Sequence, residues 1–318
     1  MDESKLLTVG LAQIAPCWLD RERTLEKVTA WVEGAADAGC GLVAFGEALV
    51  PGYPFWVELT DGARFNSPLQ KEIFAEYAHQ AVQPEAGHLD GICAAAARRK
   101  IAVYLGCIER AVLRGGHSLY CSLVFIDAGG RIASVHRKMM PTYEERLVWS
   151  AGDGHGLRTH ELGPFHVGGL NCWENWMPLS RTALYAQGED LHIAVWPGSE
   201  RNTRDITRFI ALEGRSYVAS VSGLMRRVEI GGDSEWRRGM ANAAPEVLAN
   251  GGSCLAGPDG KWVIAPAGGE ETLLTATLDF RRVLEERQNF DAAGHYARPD
   301  VTRLEVDRRR QNVAEFVD

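Results

Sequence analysis

Apolar residues recur along this 318-residue chain at two alternating periods, which predicts strands and helices in turn. Leu7, Val9 and Leu11 alternate with other residues as along a strand, and Leu25, Val28, Trp31, Val32 and Ala35 follow at helical spacing between Glu22 and Ala38. The run Gly41-Leu42-Val43-Ala44-Phe45 reads as a short buried strand. It ends at Gly46-Glu47, ahead of Pro51-Gly52-Tyr53-Pro54, a loop that cannot be helical. Lys71 to Ala81 and Leu89 to Arg99 predict helices, whereas Ile101 to Glu109, Ser118 to Ile126 and Ile132 to His136 predict strands, the last two joined by the turn Asp127-Ala128-Gly129-Gly130. The rhythm then returns: strand from Phe165 to Asn171, helix from Ser180 to Gln187, strand from Leu191 to Trp196, helix from Asp205 to Ser216, strand from Tyr217 to Leu224. A hairpin around Pro258-Asp259-Gly260 and a strand from Leu273 to Phe280 close the set.

Strands joined both by helices and by hairpins imply an α/β protein with a mixed sheet, covered at least in part by helices. No internal repeat, low-complexity segment or linker interrupts the chain. The Gly231-Gly232 and Gly251-Gly252 pairs read as loop punctuation, so one compact domain is expected.

Composition narrows the function classes. Lys plus Arg number 34 against 42 Asp plus Glu, a net charge of −8 with no long basic run, which disfavours a nucleic-acid partner. No stretch approaches the ~18 consecutive apolar residues of a membrane span, and Met1 to Lys5 runs into a strand without a basic or apolar leader; no membrane association and a cytoplasmic location are expected. The seven cysteines, at 17, 40, 93, 107, 121, 172 and 254, are odd in number and lack a C-x-x-C pair, as suits reduced thiols. Nine histidines without an H-E-x-x-H or His-x-His pattern give no support to a metal site, and none is expected.

Glu47, Lys138 and Cys172 each follow an apolar strand, and ligands in α/β proteins gather outside the carboxyl ends of strands. Cysteine is the strongest side-chain nucleophile near neutral pH when a cation or base holds it as thiolate; Lys138 could be that cation. A glutamate shielded from water has its pKa raised toward neutrality, so Glu47 could take the thiol proton and later activate water. Taken singly, a strand-end Cys is more often core, and a Lys or Glu there is more often solvated.

The surrounding text changes those odds. Gly46-Glu47-Ala48-Leu49-Val50-Pro51-Gly52-Tyr53-Pro54, His136-Arg137-Lys138 with Pro141-Thr142 and Glu145-Arg146, and Gly168-Gly169-Leu170-Asn171-Cys172-Trp173-Glu174-Asn175-Trp176-Met177-Pro178-Leu179 resemble the nitrilases of the carbon-nitrogen hydrolase superfamily. Ala194-Val195-Trp196-Pro197-Gly198, Phe290-Asp291 and Gly294-His295-Tyr296-Ala297-Arg298-Pro299-Asp300 extend the likeness over roughly residues 5 to 305, in consistent order. The resemblance implies a four-layer α-β-β-α sandwich with mixed sheets, a hydrolase domain over residues 1–305 with a short tail at 306–318, and assembly into homodimers or larger homo-oligomers. It implies a Glu47, Lys138 and Cys172 triad, and a second glutamate that orients the lysine. Glu145, directly before Arg146, matches this position better than Glu144. Gly46 stands where a proline often precedes the glutamate, and Trp176 where tyrosine is frequent; neither departure removes a functional group.

The implied reaction is hydrolysis of an organic nitrile by two waters to the carboxylic acid and ammonia, without a cofactor, through a thioimidate and then a thioester on Cys172. Lys138 and the backbone N-H of Trp173 would stabilise the nitrogen as it gains charge. Tyr53, Phe55, Trp56, Trp173 and Trp196 lie near the matched segments and could wall the pocket, Tyr53 and Trp173 foremost, although aromatics at strand ends are more often core. Glu174 reads as a loop-bracing carboxylate, and His136 as a structural histidine. Gly152-Asp153-Gly154-His155-Gly156 reads as a glycine-rich loop that fits no phosphate-binding motif, and Arg308-Arg309-Arg310 as part of a solvated tail. Two alternatives stand beside the nitrilase reading: an amidase or carbamoyl hydrolase with the same triad, and a catalytically silent homologue serving as an assembly module. No G-x-S-x-G elbow supports a serine hydrolase.

Overall fold

The computed structural model of the chain describes residues 3–314 and residue 317. Its described residues contain thirteen strands: β1 (Leu6–Gln13), β2 (Leu42–Phe45), β3 (Ala102–Arg110), β4 (Leu119–Ile126), β5 (Ile132–Arg137), β6 (His160–Leu162), β7 (Phe165–Asn171), β8 (Leu191–Trp196), β9 (Tyr217–Ser222), β10 (Leu224–Arg226), β11 (Val247–Ala256), β12 (Trp262–Gly268) and β13 (Thr272–Asp279). The helices are α1 (Arg21–Asp37), α2 (Trp56–Leu59), α3 (Pro68–Gln80), α4 (Asp90–Arg99), α5 (Pro178–Tyr185), α6 (Glu200–Gly214), α7 (Glu235–Ala243) and α8 (Arg281–Arg287).

Two sheets form. One runs β13-β1-β2-β3-β4-β5, the other β10-β11-β9-β8-β7-β6 with β12 on β11. Each has a parallel centre, β1-β2-β3 and β7-β8-β9, flanked by antiparallel neighbours. The strands read as near-continuous apolar runs because both faces are covered, and alternate residues serve different layers. From β2, Leu42 and Ala44 enter the core between the sheets, where they join Val9, Phe125, Val167 and Ile193. Val43 and Phe45 face the other way, against Val28 and Val32 of α1 and Ile92 and Ala95 of α4. On the far side, Ala194, Trp196 and Val218 pack under Ile206 and Ile210 of α6. The result is the four-layer α-β-β-α sandwich.

Local signals place the helices. Asp20 caps α1 by accepting from the Arg23 N-H at 3.0 Å, and Thr24, Val28, Val32 and Ala35 then bury one stripe. Ser67 and Pro68 open α3 three residues ahead of the expected Lys71, since Pro is favoured in a first turn. The short strands β6 and β10 and helices α2, α7 and α8 have no counterpart in the periodicity reading. Among the described residues no helix is long and apolar enough to cross a membrane.

The C-terminal stretch is less solvated than its arginines suggested. Leu304 and Val306 pack against Leu157, Leu170 and Leu184. Arg309 stays in solvent beside Asp307, but Arg310 donates to Asp153 Oδ1 at 2.9 Å and to the Val135 carbonyl at 2.8 Å. The glycine-rich loop makes this docking possible by passing directly over β5: a Cβ on Gly156 would lie 2.2 Å from the His136 Cα.

Candidate active site

The polar groups converge where strands of both sheets end. Glu47 leaves β2 with its backbone N-H on the Trp196 carbonyl at 3.2 Å, which ties the first sheet's exit to the end of β8. Lys138 prolongs the β5 ladder, its N-H on the Cys121 carbonyl at 2.7 Å. Glu145 sits in the 3-10 turn Tyr143–Leu147, where its Oε2 accepts the Thr142 N-H at 2.6 Å. Cys172 follows β7 directly and starts the 3-10 turn Cys172–Trp176 with φ at +51°, the left-handed region that side chains rarely occupy.

The geometry separates the roles of the two glutamates. Lys138 Nζ lies 2.8 Å from Glu47 Oε1 and 2.7 Å from Glu145 Oε2, and all three side chains are buried. Glu145 uses both oxygens, since Oε1 accepts from the Tyr53 hydroxyl at 2.9 Å. Glu47 uses one: its Oε2 is buried without a partner. Carboxylate oxygens of Glu47 and Glu145 and the Cys172 sulfur lie within 4.8 Å of one another. A spoken-for carboxylate is a holder, whereas a buried carboxylate with a bare oxygen beside a thiol can take its proton. Glu144 reaches only the outer side, 3.4 Å from the Tyr53 hydroxyl.

Burial pushes the Glu47 carboxyl up to about 7, as Lys138 pulls it down and Glu145 adds to the rise. Burial works against the Lys138 ammonium, but Glu47, Cys172 and Glu145 surround it with negative charge and raise its pKa well above the usual lysine value. Burial and then Glu47 push the Cys172 thiol well up, against the pull of Lys138 and the Trp173 N-H. A thiol so raised calls for a base beside it, and Glu47 is a carboxylate within reach of the sulfur. If Glu47 is the acceptor, kcat/KM rises with pH through about 7 and levels off above, because only the ionised Glu47 can receive the proton. A pH profile of kcat/KM tests this, and a plateau extending down to about pH 5, where an ordinary glutamate is already ionised, would exclude it.

Glu47, Glu145 and Cys172 form the sole cluster of metal-binding donor types found among the described residues. The Lys138 ammonium already bridges the two carboxylates, so a metal ion would have to displace it.

The aromatic expectations divide. Tyr53 is at the site, holding Glu145, with its ring against Phe55 and Trp149. Trp173 contributes its backbone N-H toward the Cys172 sulfur, while its indole is half-exposed and faces Trp176. Trp196 is corrected to core: it is fully buried in the cluster under α6, its Nε1 on Ser220 Oγ at 3.2 Å. Trp56 is likewise core, packed on Tyr77. Glu174 braces the loops, accepting from the N-H groups of Met139 at 2.6 Å and Asn171 at 3.0 Å, with His136 Nε2 also 3.0 Å away. Two residues at the site carry no sequence signal: Trp149, whose ring lies 5.5 Å from Lys138 Nζ, and Cys121, whose Sγ is 3.5 Å from Glu47 Oε1. Their strand or loop settings resemble many others, and only the packing singles them out.

Residues 8–288 match the family described as carbon-nitrogen hydrolase. The chain belongs to the carbon-nitrogen hydrolase family. Within the family it is similar to nitrilases. It is 36% identical to Nitrilase 2 of an unknown prokaryotic organism, over 100% of this chain and 98% of that one, and 37% identical to a nitrilase of Pseudomonas syringae, over 94% and 89%. Among solved structures, a mutant of the amidase from Nesterenkonia sp. AN1 shares the fold with a TM-score of 0.65 at 16% identity, covering 89% of this chain and 97% of that one.

Proposed function

We propose that the chain is a nitrilase that converts an organic nitrile and two waters to a carboxylic acid and ammonia. The carrying observation is the buried Glu47 carboxylate, which keeps one oxygen bare while the other meets the Lys138 ammonium, within 4.8 Å of the Cys172 sulfur. The names of the relatives point to the same substrate class.

Cys172 attacks the nitrile carbon as its proton passes to Glu47. Negative charge develops on the nitrogen, where Lys138 and the Trp173 N-H stabilise it, and the proton from Glu47 completes the thioimidate. Glu47 then takes a proton from water as the oxygen adds to the thioimidate carbon. Glu47 passes that proton to the nitrogen, and the tetrahedral adduct, its hydroxyl proton transferred to the nitrogen in turn, expels ammonia and leaves a thioester. A second water, activated the same way, releases the acid and returns the thiol. Glu145 and Tyr53 keep the lysine in place throughout. Expulsion of the thiol from the tetrahedral adduct instead would yield the amide.

The catalytic unit extends to residue 305 in this reading, with residues 306–318 as an appended tail. The seven free cysteines suit a reducing, cytoplasmic setting. Self-association as a homodimer or larger assembly suits the exposed apolar side chains Trp176, Leu179, Phe209 and Leu212 of the α5 and α6 face, and sedimentation of the purified chain reads it directly.

Ammonia release from aromatic, arylacetic and aliphatic nitriles and their matching amides tests the function. Acid and ammonia from at least one nitrile class are expected. Release from amides alone would move the chain to the amidase alternative, and release from neither would favour a silent assembly module.

A further inference from the structure

Behind the nucleophile, on the side of the second sheet that faces α5, lies a buried polar chain that the reaction scheme does not use. Asn175 closes the turn that begins at Cys172. Its Nδ2 donates to the Cys172 carbonyl at 2.8 Å and to the Leu170 carbonyl at 3.3 Å. Its Oδ1 lies 2.7 Å from His192 Nε2, and His192 Nδ1 lies 2.9 Å from Glu189 Oε1. Asn175, His192 and Glu189 are fully buried. The Asn175 carbonyl is gripped in turn by Arg181 at 2.8 Å, itself paired with Glu213.

Hydrogen-bond accounting makes this chain directional. Two carbonyls on one side require the Asn175 amide nitrogen to point at them, so its oxygen must face His192, whose Nε2 must therefore carry hydrogen. His192 Nδ1 faces a carboxyl group. A hydrogen bond between His192 Nδ1 and Glu189 Oε1 thus carries the chain on to the carboxyl group. Space for the carboxyl group exists because position 168 is glycine: a Cβ there would lie 2.2 Å from Glu189 Oε1. A polar chain buried this deeply is costly, the more so because Glu189 Oε2 has no partner, and at its other end it grips the backbone of the nucleophile.

We infer that Glu189, His192 and Asn175 are positioning residues that hold Cys172 in its left-handed conformation, with the sulfur in reach of Glu47 and Lys138. The chain acts on the Cys172 carbonyl rather than on the substrate. Its loss lets the turn relax toward ordinary backbone angles and moves the sulfur, and a displacement of about 1 Å at a reacting atom costs about 100-fold in rate.

The inference rests on the nitrilase reading only for its turnover readout; alkylation of Cys172 by iodoacetamide supplies a second that needs no nitrile. In Asn175→Ala and Glu189→Leu, kcat should fall about 100-fold while KM stays within about threefold, and Cys172 alkylation should slow in parallel. Glu189→Gln should recover both to within about threefold of the parent, because its amide can donate to His192 Nδ1 and preserve the direction of the chain. A residue that merely filled space would not distinguish Leu from Gln in this way. Unchanged kcat and alkylation in Asn175→Ala would overturn the inference, as would a Gln variant no better than the Leu variant. Should Glu189→Leu fail to fold, Asn175→Ala decides the matter alone. If the parent hydrolyses no nitrile, the functional reading fails, but the alkylation comparison still tests the positioning chain.

Discussion

Cys172→Ala is expected to release no ammonia above background from any nitrile, a loss on the order of 10⁶ in kcat by analogy with removal of other covalent nucleophiles. The chemistry explains it: the thiol is the strongest nucleophile of the site, whereas Glu47 and Lys138 are engaged with each other as an ion pair. The fold should persist. The substitution removes one sulfur from the edge of the cluster around Trp196 and Ile210, and alanine meets the same backbone constraint at φ +51° as cysteine does. Unfolding should shift by no more than about 1 kcal/mol, within the ordinary range for a small side-chain deletion. Ammonia assays paired with thermal unfolding check both parts. Turnover within tenfold of the parent would sink the covalent scheme, and Cys121, the other thiol beside Glu47, would then become the candidate nucleophile.

Lys138→Ala is expected to lower kcat by about 10³ with a much smaller change in KM, because the ammonium is needed most when the nitrile nitrogen gains charge. Unlike the cysteine variant, it should also weaken the fold. Lys138 is fully buried between Glu47 and Glu145, and its removal leaves two buried carboxyl groups without a cation. Breaking such a pair costs about 3–5 kcal/mol, lessened as a carboxyl takes up a proton. Glu47, already pushed up to about 7 by burial, is the group placed to do so. Steady-state kinetics and denaturant unfolding separate the two effects. An increase in KM at unchanged kcat would assign Lys138 to substrate binding instead.

Much of this architecture is legible from residue order. Strands that lead into Glu47, Lys138 and Cys172 carry them to one rim because β2 and β7 lie in the parallel centres and β5, two antiparallel steps from β3, runs the same way as β3. The motif favoured Glu145 over Glu144 through its place before Arg146; the turn after Thr142 supplies the physical reason, since it aims Glu145 at Lys138 and leaves Glu144 near the outer side of Tyr53.

What periodicity could not provide is the facing of residues in strands buried on both sides. All of β8 is apolar or buried, so alternation leaves no polar face to set its parity. Ile193 and Val195 turn to the other sheet, and Ala194 and Trp196 to α6, which is why Trp196 is core rather than pocket wall. The same parity aims His192 at Asn175. Tyr53 on Glu145, Cys121 on Glu47 and Arg310 on Asp153 likewise join residues 74 to 157 positions apart, and Trp149 lies beside Lys138 across a loop. Local sequence determined the strands, their ends and the reactive groups placed there, because backbone propensity and apolar spacing act over a few residues. Which oxygen is left bare, which carboxylates hold the lysine and which histidine steadies the nucleophile were decided only when two sheets closed on one another, because burial and charge pairing act through space.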